Sequence, residues 1–286
     1  MFDRMLLVLD ESADRERVVA ALRPLARVEH AHIFVVLTIP FLETVAEMPH
    51  ELSSNLAGDG EASDVFVDAL VASLRAEGLS ADGFTTVGRS ALTIHAAAER
   101  VEASLIVLPT RPHRRLEALL LYARVPVIAV PLPTAPIQRI LIPFDDTEES
   151  LEILPYATSL ARAFRSDITL VSVGPGHREA LEIQALERIR GGGLTADLVT
   201  GRGDPAATVL TLCRSLPAEA IAIGPSERPW ISTLVKLSPV PVLMVRHAAK
   251  KRLIAEEPLP PSISVPIVET WKRRVSSNPV QGYSAP

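Results

Sequence analysis

Short runs of consecutive aliphatic residues recur along this chain, and between them lie longer stretches in which apolar residues return every three or four positions. In the C-terminal half the runs fall near 138–144, 167–173, 195–200, 219–224 and 240–246, and helical spacing falls near 148–165, 178–190, 205–215 and 230–237. The pattern predicts β-α-β-α-β-α-β-α-β. A strand with one wet face alternates apolar and polar residues, so these near-continuous, β-branched runs point to parallel strands covered by helices on both sides. Thr147, followed by Glu148 and Glu149, is a candidate N-cap with acidic residues in the first turn. Asp204 before Pro205 gives the same signal, with proline at the first helical position. The N-terminal half follows the same order, with strands near 5–9, 32–38, 83–87, 104–109 and 126–131. It differs by an insert, 41–62, which is polar and glycine-punctuated and reads as a surface loop or lid with a helical turn ahead of the helix at 63–78.

The halves also align residue by residue. "RMLLVLDES" (4–12) lies over "RILIPFDDT" (139–147), "VPVIAVP" (125–131) over "VPVLMVR" (240–246), and Gly88 with "SALTI" parallels Gly203 with "PAATV". A period above 100 residues means two copies of a domain rather than a solenoid. The expected units are 1–133, carrying the insert, and 138–246, joined by the stiff, proline-rich "PLPTAPIQ". The remaining residues, 247–286, hold six prolines and six Lys or Arg against three Glu, and read as a basic, extended tail.

Composition narrows the function. With 286 residues, 48% apolar and 22% charged, the chain is sized for two globular cores, and at 4% aromatic those cores rest on Leu, Val, Ile and Ala. A net charge of −5 argues against a body built to bind nucleic acid. No run is long enough to span a bilayer and the start lacks the form of a signal peptide, which leads to the expectation of a cytoplasmic protein. The lone cysteine, Cys213, sits in a helical stretch and reads as a packed thiol.

Taken together these segments resemble a tandem universal stress protein over roughly 3–131 and 138–246. The most specific is "GRGDPAATVLTLCRSLPAEAIAIG" (201–224), similar to that family's glycine-Asp-Pro turn, third helix and fourth strand. Strand 1 ending in Asp10 and Ser12, or in Asp145 and Thr147, and the terminal "VPVLMVR" complete the pattern. The resemblance implies an α/β fold of two tandem five-stranded parallel-sheet domains, Rossmann-like and akin to the adenine-nucleotide α-hydrolases. It also implies an internal pseudo-dimer through strands 127–131 and 242–246, which removes two sheet edges. ATP-binding members hold adenine near positions that map to Asp10 and Thr38, or Asp145 and Val173, and phosphates on a glycine loop after strand 4 that begins at the position of Gly224. Such a loop works because glycines let backbone N–H groups crowd the phosphates. Here the second glycine position is Glu227, and the interval from Gly224 to Pro241 is shorter than the family's. In the first half Leu108 replaces even the first glycine, although Arg111, His113, Arg114 and Arg115 offer positive charge nearby. Those four also read as the solvated start of a helix, and the two aspartates as acceptors for backbone N–H groups.

No Ser-His-acid order with an elbow motif, no metal spacing and no paired catalytic carboxylates stand out, and none of His30, His32, His95, His113 or His177 has a partner predictable from sequence. The glycines at 191–193 read as a helix-ending turn. The reading is therefore a non-catalytic stress-response or regulatory adaptor without a cofactor. It binds a protein partner through the tail, where Trp271 is the candidate anchor and Lys272, Arg273 and Arg274 face an acidic surface. A tail without a partner fits the same composition, and further homodimerisation is compatible with this arrangement. The alternative function is an adenine-nucleotide sensor, for AMP or ATP, in the Asp10 or Asp145 crevice.

Overall fold

The computed structural model describes residues 1–9, 15–39, 50–87, 91–109, 123, 125–130, 137–145, 147–173, 179–224 and 229–245. The elements in order are β1 (Arg4–Leu9), α1 (Arg15–Glu29), β2 (His32–Ile39), α2 (His50–Ala76), β3 (Ser80–Val87), α3 (Ala91–Arg100), β4 (Leu105–Pro109) and β5 (Val127–Val130). There follow β6 (Arg139–Phe144), a 3-10 turn (Glu149–Ile153), α4 (Leu154–Phe164), β7 (Asp167–Val173), α5 (Glu179–Gly191) and β8 (Ala196–Gly201). The last are α6 (Pro205–Ser215), β9 (Ala220–Ile223), α7 (Pro229–Leu237) and β10 (Val242–Met244).

The ten described strands form one sheet in the order β3-β2-β1-β4-β5-β10-β9-β6-β7-β8. Every pairing is parallel except the central one, where β5 and β10 run antiparallel with Val242 opposite Ala129, Leu243 opposite Ile128 and Met244 opposite Val127. The order on one side of this seam mirrors the order on the other. Helices cover both faces, which is why the strands carry aliphatic residues at odd and even positions alike. Met5, Leu7 and Leu9 belong to the core under α1, α2, α4 and α5, while Leu6 and Val8 belong to the opposite core under α3, α6 and α7. Each fully buried Leu, Ile or Val contributes about 1.5–3 kcal/mol of hydrophobic stabilisation, so two aliphatic layers offset the scarcity of aromatics.

The two halves meet again above the seam. Leu22 and Leu25 of α1 face Leu160 and Phe164 of α4 across an apolar cavity of about 20 Å³ floored by Ile128 and Leu243. Beside it Phe2 and Tyr156 lie 5.8 Å apart, ring to ring. Glu29, at the end of α1, accepts from the Met1 ammonium (2.7 Å), the Phe2 N–H (3.0 Å) and the Ser159 hydroxyl of α4. Burial alone would raise the Glu29 carboxyl, but those three donors together hold it below its ordinary range.

Two expectations need correction. Residues 50–62, part of the insert 41–62 read as a surface loop or lid with a helical turn, form the first half of the 27-residue α2, and 41–49 lie outside the described residues. Gly58 and Gly60 each cost about 1 kcal/mol in a helix interior, which hid it from the sequence pattern, yet once the C-terminal half is fixed each further residue adds only a propagation step. That half is fixed by packing: Val67 and Val71 sit directly over Gly83 of β3, where no side chain would fit. The single helix expected at 148–165 is instead a 3-10 turn followed by α4, because Pro155 has no N–H to continue a regular ladder and stands at the start of α4.

Candidate functional site

In an open parallel sheet, ligands sit beyond the carboxyl ends of the strands where the strand order reverses. This sheet has two such points, between β1 and β4 and between β6 and β9. In the first, the described residues reach Leu9 on β1 and Pro109 on β4, and Asp10, Arg111, His113, Arg114 and Arg115 lie outside them. Thr38 is wholly buried on β2, and its hydroxyl donates to the Leu9 carbonyl at 3.2 Å. It ties the end of β2 to the end of β1.

The second point is described on three sides. Pro143 brings no N–H to the β6 ladder, and β6 pairs with β9 only at Ile140 and Leu141 while its pairing with β7 runs through Phe144. The strands thus part before Asp145. There the chain's own backbone comes against the end of β9. A Cβ placed on Gly224, at the end of β9, would lie 3.2 Å from Ser150 Cα, 3.3 Å from the Ser150 carbonyl oxygen and 3.4 Å from the Glu149 carbonyl oxygen. Gly224 is therefore a glycine because the 3-10 turn rests on it. The turn is itself pinned: Ser150 N–H reaches both the carbonyl and the hydroxyl oxygen of Thr147 at 3.2 Å, and the Ser150 hydroxyl donates to the Thr147 carbonyl at 2.6 Å. Asp145 accepts from the Thr147 hydroxyl at 2.7 Å, so its carboxylate orients the side chain that receives the Ser150 N–H, although the N-cap position itself falls on Glu148 rather than on Thr147 as expected. Val173, at the end of β7, is buried in the core under α6 and α7.

The structure thus brings Asp145, Thr147, Ser150 and Gly224 to one edge through the turn, and places Thr38 and Val173 within the cores. Glu227, Trp271, Lys272, Arg273 and Arg274 lie outside the described residues. The glycine-Asp-Pro turn is structural in form: Gly203 has φ +96°, Asp204 accepts from the Ala207 N–H at 2.8 Å, and Pro205 opens α6. Gly193, with φ +78°, ends the turn after α5. Burial pushes the Cys213 thiol up to about 12, which keeps it protonated and unreactive at neutral pH. Among the described residues no group of three His, Cys, Asp or Glu is placed to hold a metal ion, and no helix is long and apolar enough to cross a membrane.

Residues 1–124 match the universal stress protein family. The universal stress protein match therefore spans β1 to β4, including the first switch point, and ends before β5. The fold extends the likeness to both halves. A universal stress protein from Archaeoglobus fulgidus DSM 4304 superposes with a TM-score of 0.69 at 17% identity, over 85% of this chain and 96% of its own. A functionally unknown protein from Pseudomonas aeruginosa PAO1 superposes at 0.60, with 17% identity over 86% of this chain and 93% of its own. At these identities the likeness is one of fold. No curated protein matches the chain.

Proposed function

We propose that this protein is a non-catalytic, stress-responsive regulatory adaptor whose second half is a further universal-stress-protein-like domain without a phosphate loop, and that it acts by binding a protein partner rather than ATP. The observation that carries this reading is the contact of the Glu149–Ser150 backbone with Gly224. A nucleotide at the second switch point needs the space between the ends of β6 and β9, and the turn takes it. The tail suits the partner-binding role: β10 runs parallel to β9, so the chain passes Val245 on the same edge as Gly224. From there the segment 247–286 leads with its Trp271 and three adjacent cations. A rigid body offering a tethered anchor is a common arrangement for docking.

The test is thermal unfolding with and without millimolar ATP, ADP and AMP, each with Mg²⁺. A ligand at 100 times its dissociation constant adds roughly 2.7 kcal/mol, an easily measured shift. No shift is expected, and the full chain is expected to retain a partner that a chain truncated after Arg246 does not. One observation favours the nucleotide-sensor alternative: the family match covers the first switch point, where Thr38 and Asp10 belong. A midpoint raised by AMP or ATP and restored by Asp10→Ala or Asp145→Ala would establish that alternative and overturn the adaptor reading.

A further inference from the structure

At the opposite, amino-terminal edge of the first half, three side chains form a continuous hydrogen-bonded chain. His32 opens β2, and parallel pairing sets it level with Ser80 and sets Phe34 level with Asp82 on the edge strand β3. Residues two apart on a strand share a face, so the His32 ring lies between the Ser80 and Asp82 side chains. The Ser80 hydroxyl is 2.7 Å from His32 Nδ1, and His32 Nε2 is 2.9 Å from Asp82 Oδ2. The far oxygen of Asp82 accepts from Arg75 Nη2, whose Nε–H donates to the Ala81 carbonyl at 2.7 Å. The imidazole is held from below by Phe34, ring to ring at 4.4 Å, and the Arg4 guanidinium lies 5.0 Å from the centre of that same phenyl ring.

For the neutral ring this geometry favours one tautomer. An ionised carboxylate only accepts, so Nε2 carries the proton towards Asp82, and the Nδ1 lone pair of the neutral ring is left facing the Ser80 hydroxyl. That is the arrangement by which a weak hydroxyl becomes a nucleophile: a base within hydrogen-bond reach, itself oriented by an acid. Ser80 is exposed, and β3 ends the sheet, so a small molecule has access to it.

We propose that Ser80 is a covalent modification site for activated acyl groups, with His32 as its base and Asp82, clamped by Arg75, as the positioning residue. The Ser80 oxygen bonds to the acyl carbon of an acyl phosphate, thioester or activated ester as its proton passes to His32 Nδ1. The bond to the leaving group then breaks, the leaving group takes that proton, and the acyl group remains on Ser80. Nothing is oxidised or reduced. The inference goes beyond the adaptor reading and uses none of its residues, since Ser80 stands at the amino ends of β2 and β3 in the first half and Gly224 at the carboxyl end of β9 in the second.

The experiment incubates the full-length protein with p-nitrophenyl acetate and follows acetylation serine by serine by peptide mass spectrometry. Ser215, exposed at the end of α6 with its hydroxyl on the Leu212 carbonyl at 3.4 Å and no imidazole hydrogen-bonded to it among the described residues, is the internal reference. General-base assistance is worth about 10²–10⁴-fold in enclosed sites, and at this open one an advantage of at least about tenfold for Ser80 over Ser215 is expected. Ser80→Ala removes the acetylated peptide, and His32→Gln reduces Ser80 to the rate of Ser215. Acetylation of Ser80 no faster than of Ser215 overturns the proposal, and so does an undiminished Ser80 rate in His32→Gln. Should His32→Gln unfold early, the comparison of the two serines within the wild-type chain decides alone.

Discussion

If the second switch point is filled by the protein's own backbone, Gly224→Ala is destabilising, and the size of the loss follows from the contacts. The new methyl meets Ser150 Cα at 3.2 Å and two carbonyl oxygens at 3.3 and 3.4 Å, closer than ordinary van der Waals contact. Relief requires Ser150 to move, and Ser150 is tied to Thr147 through both its N–H and its hydroxyl. Overpacking of this kind costs about 1–3 kcal/mol. Alanine also narrows the unfolded ensemble, which restores about 0.4–1 kcal/mol where the backbone angles suit it, and Gly224 is not among the glycines of positive φ. The net expectation is a loss of about 1–2 kcal/mol, or roughly 2–4 °C in the unfolding midpoint per kcal/mol for a chain of this size class. Circular dichroism melting of the two proteins side by side measures it. An open crevice predicts the opposite sign, because a methyl pointing into water costs nothing and the entropic term alone remains. A Gly224→Ala protein that melts at or above the wild-type midpoint therefore refutes the filled crevice, and with it the main support for an adaptor that does not use ATP.

Asp204→Ala removes the acceptor for the Ala207 N–H and is expected to cost about 1 kcal/mol, whereas Asp204→Asn, which keeps a capping oxygen, stays close to wild type in urea denaturation. Glu29 has a folded-state carboxyl held below its ordinary value, so its stabilisation is fully present above the unfolded value and is lost as the pH falls through the folded one. Glu29→Gln should accordingly be less stable than wild type at pH 7, and the gap between their urea midpoints should close in acid. A gap that stays constant from neutral pH down through the carboxyl range argues against this account.

What the sequence reveals and what it hides divides along the distance between interacting residues. The aliphatic runs give every strand to within three residues, since burial on both faces leaves a local signature, as in "MLLVL" and "HIFVVL". Capping by Asp204 is equally local, one side chain reaching three residues ahead. Gly224 shows the limit. Its identity suggests a phosphate loop, but the reason for it is the backbone of Ser150, far away in sequence and adjacent only after β6 and β9 pair. The Ser80–His32–Asp82 chain is hidden for the same reason: "SAD" and "HIF" are unremarkable until the register of β2 against β3 sets them side by side. A search of paired strands for a histidine level with a serine and two positions from an acid would have found it.

The antiparallel pairing of β5 with β10 sets which strand ends share an edge of the sheet. Because each half is parallel within itself, reversing one half at the seam sends the carboxyl ends of β1 and β4 to one edge of the sheet and those of β6 and β9 to the other. The edge that holds Gly224 and Asp145 thus also holds the amino ends of β1, β2 and β3, and with them Ser80 and His32. A segment leaving the body at Val245 starts on this shared edge, not on the edge of the first switch point. Gly224 with its turn, Val245 and Ser80 therefore face the same side of the molecule, and a protein partner docked there through the tail, as proposed, would screen Ser80 from an acyl donor. The first switch point, on the opposite side, would remain accessible throughout.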